Sequence, residues 1–383
     1  MDSAFPYSQY VTGKNFVGRK ADATLLGNLL SQGEHVVLYE PPKTGKSSLV
    51  QQTLFTLRMQ SRSFMVGQMS VLNVRTSEAF MLRLGATIIK MVGTTPQEYA
   101  ALAEHFLKDT HFVFDPVAFS ERNEILSLNW DMDQADIQAM LSFPFRLSQE
   151  RNMQIYLIID DFHCLSLLDD PDAVLRPLDA SLKEWAQQSQ FSYIWMGSGV
   201  NAMKAIFETS LLFHRHVERV RLSAIDIREM ADHVQRGFLS SGKVVSKDLL
   251  EGACNLFRGH PWYINHFAAI CDSMSRGYIM EPVLVDALAC LISAHEPRFR
   301  DIMTDLTTHQ VNLLKATLDG VTRFSAAEVI RKYELNSSAN VKRVKDALMK
   351  KEVLLFEDPD KAVVADPLFE YWLRKYYFEM KEA

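Results

Sequence analysis

Cysteine is scarce: the chain of 383 residues has four, Cys164, Cys254, Cys271 and Cys290, and no CxxC pair. That spacing excludes a disulfide framework or a thiolate metal site and leaves reduced, partly buried thiols. Long apolar runs are also missing. The longest are strand-sized, well short of the ~20 residues a membrane span needs. The first residues, MDSAFPYSQY, have no basic segment followed by an apolar one, so no secretory signal is expected. These features describe a soluble, cytoplasmic chain. Neither sign of charge dominates: the net charge is −6, so any nucleic-acid contact must come from a local patch. HExxH, ligand-spaced His/Cys sets and G-x-S-x-G are all absent, which argues against a catalytic transition metal or a serine nucleophile.

What is present is an ordinary globular balance, 48% hydrophobic and 23% charged, in a chain too long for one core. Short apolar runs alternate with helical patterns, the signature of a parallel sheet flanked by helices. Strands are expected at His35–Tyr39, Ser63–Ser70, Ile155–Ile159, Phe191–Met196 and Val217–Leu222. Helices are expected near Ser47–Met59 and over Ser77–Val92. Asp133–Arg151 reads as helical with a break at Pro144, and Phe112–Asn129 contains no clear element. Helices then follow at Asp226–Ser240, Ser246–Phe257, Pro261–Arg276 and Met280–His295.

The last eighty residues read as a separate unit. Three short helices (Thr308–Leu318, Ala326–Tyr333, Ser338–Lys350) precede strands Val353–Phe356 and Ala362–Ala365, joined by the turn Glu357-Asp358-Pro359-Asp360. That order is the pattern of a winged helix, closed by a helix over Pro367–Tyr377. The expected division is a core over residues 1–222, a helical lid over 223–299 and a winged helix over 300–383.

The strongest chemical signal is Glu40-Pro41-Pro42-Lys43-Thr44-Gly45-Lys46-Ser47, which follows a strand and opens a helix. It matches the phosphate loop G-x-x-x-x-G-K-[ST] except at its first glycine, here Glu40. Backbone N–H groups from Lys43 to Ser48, helped by the helix N-terminus, would surround the phosphates of Mg-ATP. Lys46 would reach the β- and γ-phosphates and Ser47 would ligate Mg²⁺. Glu40 is less permissive than glycine at the strand exit, and Pro42 removes one N–H.

Asp160-Asp161 end the Ile155–Ile159 strand. Alone, such a pair is a solvated turn. With a phosphate loop upstream, Asp160 would hold Mg²⁺ through water and Asp161 would polarise the attacking water. Aspartate is one methylene shorter than the glutamate usual there, so slow hydrolysis is an expectation.

Phe16-Val17-Gly18-Arg19, the loop, Asp160-Asp161, Gly197-Ser198, Gly259-His260-Pro261 and the ending Asp366-Pro367-Leu368-Phe369-Glu370-Tyr371-Trp372-Leu373 occur in one order. Together they resemble the prokaryotic ATPases of the AAA+/STAND group, the archaeal ATPase family, which is related to origin-recognition ATPases. The resemblance implies an α/β fold: a P-loop AAA+-type parallel sheet core with a helical lid and a C-terminal winged-helix domain. It implies that Val17, Gly18 and Arg19 border the adenine and that Ser198 senses the γ-phosphate. Pro261 would pack near base and ribose, and Arg215, or alternatively Arg219, would act on a neighbour's nucleotide in a homo-oligomer.

The winged helix raises double-stranded DNA or a protein as partner. Lys342, Arg343 and Lys345 give its third helix a basic surface, although residues 300–383 hold fourteen basic and fourteen acidic side chains and are neutral overall. The implied function is an ATPase switch. The alternative is a nucleotide-gated DNA- or protein-binding regulator with little turnover.

Overall fold

The computed structural model describes residues 4–186, 190–358 and 361–380. These residues form two compact units. One comprises Lys20–Glu40 and Gln52–Leu222; the other joins the described residues up to Arg19, Pro41–Gln51 and Ser223 onward. This division differs from the three consecutive domains expected from sequence, because the phosphate loop groups with the N-terminal segment and the C-terminal half.

The first unit is built on five parallel strands: β1 (His35–Tyr39), β2 (Phe64–Ser70), β3 (Gln154–Asp160), β4 (Phe191–Gly197) and β5 (Val217–Arg219). Their order across the sheet is β2-β3-β4-β1-β5. Every residue of β1 and β4 is buried, as expected of strands covered on both faces. Register pairs Tyr39 with Gly197 and Ser70 with Asp160, so the strands end together on one edge. β4 therefore lies between the strand that feeds the phosphate loop and the strand that carries the acidic pair.

The expected strands and most expected helices are present, with several differences. Gln134–Arg151 is one continuous helix despite Pro144. Proline removes a single helical hydrogen bond there, while Met140, Leu141, Phe143, Phe145 and Leu147 on either side are all buried and hold the helix to the core. Phe112–Asn129 is structured. Phe112–Val113 pairs antiparallel with Ser127–Leu128, and a helix over Pro116–Arg122 intervenes. Asp115 caps that helix and Asn123 ends it in the left-handed region. Helices also occupy Lys20–Ser31, Pro96–Phe106 and Asp172–Glu184, where none was expected. The last strand is only three residues long.

The second unit has a single buried core running from Phe5 to Leu373. Helices Ile227–Ser240, Lys247–Leu256, Pro261–Met274 and Glu281–Thr304 make its first part. The last of these passes the expected boundary at residue 300. Helices Thr308–Leu318, Ala327–Lys332 and Ser338–Lys350 follow, then the antiparallel pair Leu354–Asp358 and Lys361–Val364. Pro359 and Asp360 of the expected turn lie outside the described residues. Helix Pro367–Trp372 closes the unit, with Phe369 and Trp372 packed on Phe299 at 5.2 and 5.7 Å. Cys164, Cys254 and Cys271 are buried free thiols and Cys290 is exposed. Among the described residues no helix is long and apolar enough to cross a membrane.

Candidate functional site: a pocket around the phosphate loop

The loop leaves β1 at Glu40 and enters the helix Lys46–Met59. Its left-handed residues are Lys43 (φ +62°) and Gly45 (φ +103°), whereas Glu40 is not among the positive-φ residues. In this backbone, then, the first position of the motif makes no demand for glycine, and the departure there costs little. Gly45 is required. Its φ disfavours a side chain, and a Cβ there would sit 2.9 Å from Arg19 Nη1.

The loop is braced from three directions within its unit. Arg19 Nη1 donates to the Thr44 carbonyl at 2.5 Å and Arg19 Nε to the Ser223 carbonyl at 2.8 Å. Ser48 Oγ accepts from the Val11 N–H at 3.1 Å. His260 Nε2 lies 3.2 Å from the Pro42 carbonyl while its Nδ1 takes the Tyr263 N–H as the cap of helix Pro261–Met274. Since a carbonyl only accepts, Nε2 carries the proton and the ring is neutral. Burial keeps it so, lowering the His260 pKa to about 4.

Inside the loop, the buried Lys46 donates through Nζ to the Pro41 carbonyl at 2.9 Å, as does Thr44 Oγ1. Lys43 Nζ sits 3.4 Å from the centre of the Trp262 ring, a cation–π contact. Partial burial, helped by the charge of Arg298, lowers the Lys43 pKa. Tyr7 stacks on His266 with ring centres 4.3 Å apart and meets Trp262 edge-on at 5.9 Å.

These contacts enclose a pocket. Phe16, Val17 and Arg19 line it from the N-terminal segment, Lys43, Gly45 and Ser48 from the loop, and Pro261, Trp262 and Asn265 from the helix. Three motifs far apart in sequence thus converge on one cavity. Gly18, Pro42, Thr44, Lys46 and Ser47 lie in the same segments but are not lining residues. Tyr7, Val11, Trp262 and Asn265 line it without any signal in the sequence reading. The aromatic content of Phe5–Tyr7 and the helical step from Pro261 to Asn265 are the clues that could have located two of them.

Lys342, Arg343 and Lys345 belong to the same unit as the loop, whereas Asp160, Asp161, Ser198, Arg215 and Arg219 belong to the other. Asp160 ends β3, and its Oδ1 accepts from the Asp161 N–H at 2.8 Å. Asp161 is left-handed (φ +58°) and accepts from Ser70 Oγ at 2.7 Å, which ties it to the end of β2. Ser198 follows β4 on the same edge, half-buried. Arg215 is exposed, two residues before β5, and so lies at the edge where strands begin, away from Asp160. Arg219 is paired with Glu208 and stacks over Tyr39, 4.0 Å from its ring centre.

Comparison with known proteins matches residues 297–375 to the model of a probable winged helix domain. No curated protein matches the chain. Among solved structures, a Walker-type ATPase of Pyrococcus abyssi superposes with a TM-score of 0.68 at 16% identity, covering 97% of this chain and 99% of that one. The ORC2 protein of Aeropyrum pernix, solved in ADPNP–ADP complexes, gives 0.59 at 13% identity over 95% and 93%. The chain shares the fold of these two proteins, a central parallel sheet with flanking helices, and carries a C-terminal winged-helix domain.

Proposed function

We propose that this chain binds Mg-ATP and works as an ATPase switch. The observation that carries the reading is the pocket in which the Phe16–Arg19 segment, the Gly45 loop and Pro261 meet. An apolar cavity joined to a helix N-terminus suits a flat base attached to phosphates. Within it Val17, Gly18 and Arg19 would border the base and Pro261 the ribose. Pro42, Lys43, Thr44, Gly45, Lys46, Ser47 and Ser48 would surround the phosphates.

The Ser47 hydroxyl and Asp160 carboxylate are hard oxygen donors, the set that Mg²⁺ prefers, and would hold it. When bound, the ion neutralises charge on the phosphate oxygens. Lys46 adds a second positive charge there. Asp161, aimed by Ser70, would accept hydrogen bonding from the attacking water, and Ser198 would contact the γ-phosphate. Water then attacks phosphorus in line, the bond to the β,γ-bridging oxygen breaks, and ADP and phosphate leave. Arg215, on the far edge of its own sheet, suits action on a neighbour's nucleotide in a homo-oligomer. Arg219, already paired with Glu208, suits it less.

The downstream partner of this reading is double-stranded DNA. Helix Ser338–Lys350 buries Val341, Val344 and Leu348 and leaves Lys342 and Arg343 exposed, with Lys345 half-buried beside them. A basic helix face of this kind can meet phosphates.

The test is ATP binding and turnover by the wild type and Lys46→Ala, with and without DNA. Binding is expected in the wild type and lost, by tenfold or more, in the variant. Equal turnover by the two proteins would sink the assignment. Tight ATP retention without hydrolysis would favour the nucleotide-gated regulator instead.

A further inference from the structure

Asn265 lies one turn into helix Pro261–Met274, lines the pocket and is only 9% exposed. Its Nδ2 donates to the Pro261 carbonyl at 3.0 Å. Because that carbonyl can only accept, the amide nitrogen must face it and Oδ1 must face the other way. This Oδ1 is buried and has no hydrogen-bond partner among the described residues. A buried acceptor left unmade gives up its hydration with no return.

The other polar residues around the cavity do not share these properties. Tyr7, Gln9, Asn15 and Ser48 are half-buried or exposed, and Ser48 already accepts from Val11. Arg19 and Lys43 only donate. Val17, Ile225 and Met230 offer apolar area, which any base can use. Among the described side chains that line the cavity, Asn265 Oδ1 is thus the buried acceptor without a partner.

We propose that Asn265 reads the base of the nucleotide, its Oδ1 accepting from the 6-amino group of adenine. This rests on the nucleotide-binding reading above and adds its base preference. Guanine and hypoxanthine carry a carbonyl oxygen at that position, so two acceptors would meet with no proton between them. A site built to bond a donor rejects an analogue that lacks it far better than an apolar pocket can.

The test is equilibrium binding of ATP, GTP, ITP and purine riboside 5′-triphosphate, which lacks the 6-amino group, to the full chain. ATP is expected to bind about tenfold or more tighter than each of the others. Asn265→Leu should weaken ATP by about that factor and leave purine riboside triphosphate nearly unchanged, so that their ratio collapses. The wild-type series stands even if the leucine variant fails to fold. Equal binding of ATP and purine riboside triphosphate by the wild type overturns the proposal, as does an unchanged ratio in a folded leucine variant. Those outcomes leave nucleotide binding standing, whereas no binding of any triphosphate overturns both readings.

Discussion

Lys43, in the phosphate loop, holds its ammonium 3.4 Å from the centre of the Trp262 ring, on the helix that lines the same pocket. Two consequences follow from electrostatics. While no phosphate is near, this cation rests on the ring face, and a triphosphate is a far stronger partner. Nucleotide should therefore draw the ammonium away from the indole. The chain has five tryptophans, so the signal is read as a difference. Titration with ATP should change tryptophan emission in the wild type, and Trp262→Phe should remove that change. An identical response from both proteins would show that the contact does not report on the site.

Gly45 is the position in the loop least tolerant of a side chain. With φ at +103° and Arg19 Nη1 2.9 Å from where a Cβ would sit, Gly45→Ala must strain the backbone or displace the arginine. A loss of about 1–3 kcal/mol in stability is expected, together with at least tenfold weaker ATP binding. Unfolding in urea and binding titrations read the two effects separately. Glu40→Gly is the matching control. Glu40 holds an ordinary backbone conformation, so restoring the usual glycine should not improve binding.

That contrast shows what sequence could and could not reveal. Buried strands such as His35–Tyr39 are continuous apolar runs ended by turn residues, and helix Ser77–Val92 repeats its apolar side chains at helical spacing, so both were legible. The phosphate loop and Pro261 carry fixed chemistry at fixed spacing. The helix at Pro116–Arg122 is too short for periodicity to speak, and its cap Asp115 looks like any turn residue. Pro144 carries a local breaking signal that tertiary burial overrides. Asn265 and Tyr7 were invisible for another reason: their meaning depends on which residues surround them after folding. Motif order did not foretell that Pro41–Gln51 would group with Ser223 onward.

His35 gives a pH dependence of definite sign. It is buried among Phe145, Phe191, Tyr193 and Trp195, and its Nδ1 accepts from the Tyr193 N–H at 3.0 Å. Burial, with a smaller push from His216, lowers its pKa from 6.5 to about 3. The unfolded chain therefore binds this proton first, so stability is full above about 6.5 and falls as pH drops toward 3. The slope approaches ~1.4 kcal/mol per pH unit from this group. His260 and His295, lowered to about 4, act in the same direction. His35→Gln should flatten, without abolishing, the decline between pH 6.5 and 4 in urea unfolding. An unchanged profile would assign the dependence elsewhere.

Asp366 gathers three kinds of contact at the start of the closing helix. Its Oδ1 accepts from the Leu368 and Phe369 N–H groups at 3.0 and 3.1 Å, capping Pro367–Trp372. Tyr263 donates its hydroxyl to the same carboxylate at 2.7 Å, and Arg298 pairs with it. Tyr263 follows Trp262 on the pocket helix, so this carboxylate ties the winged helix to the element that lines the cavity. Asp366→Ala removes the cap and takes the carboxylate away from the buried Tyr263 and from Arg298, which still donates to the Tyr263 hydroxyl at 3.2 Å. A loss of about 1–3 kcal/mol is expected, because the ion pair is part exposed and the cap is the surer part. Tyr263→Phe should cost about 0.5–1.5 kcal/mol. The two share one carboxylate, so the double variant should lose less than the sum. Strict additivity in unfolding experiments would mean that the cap and the tyrosine act independently. Other contacts would then anchor the winged helix, among them the packing of Phe299, Phe369 and Trp372 and the Arg258–Glu370 ion pair.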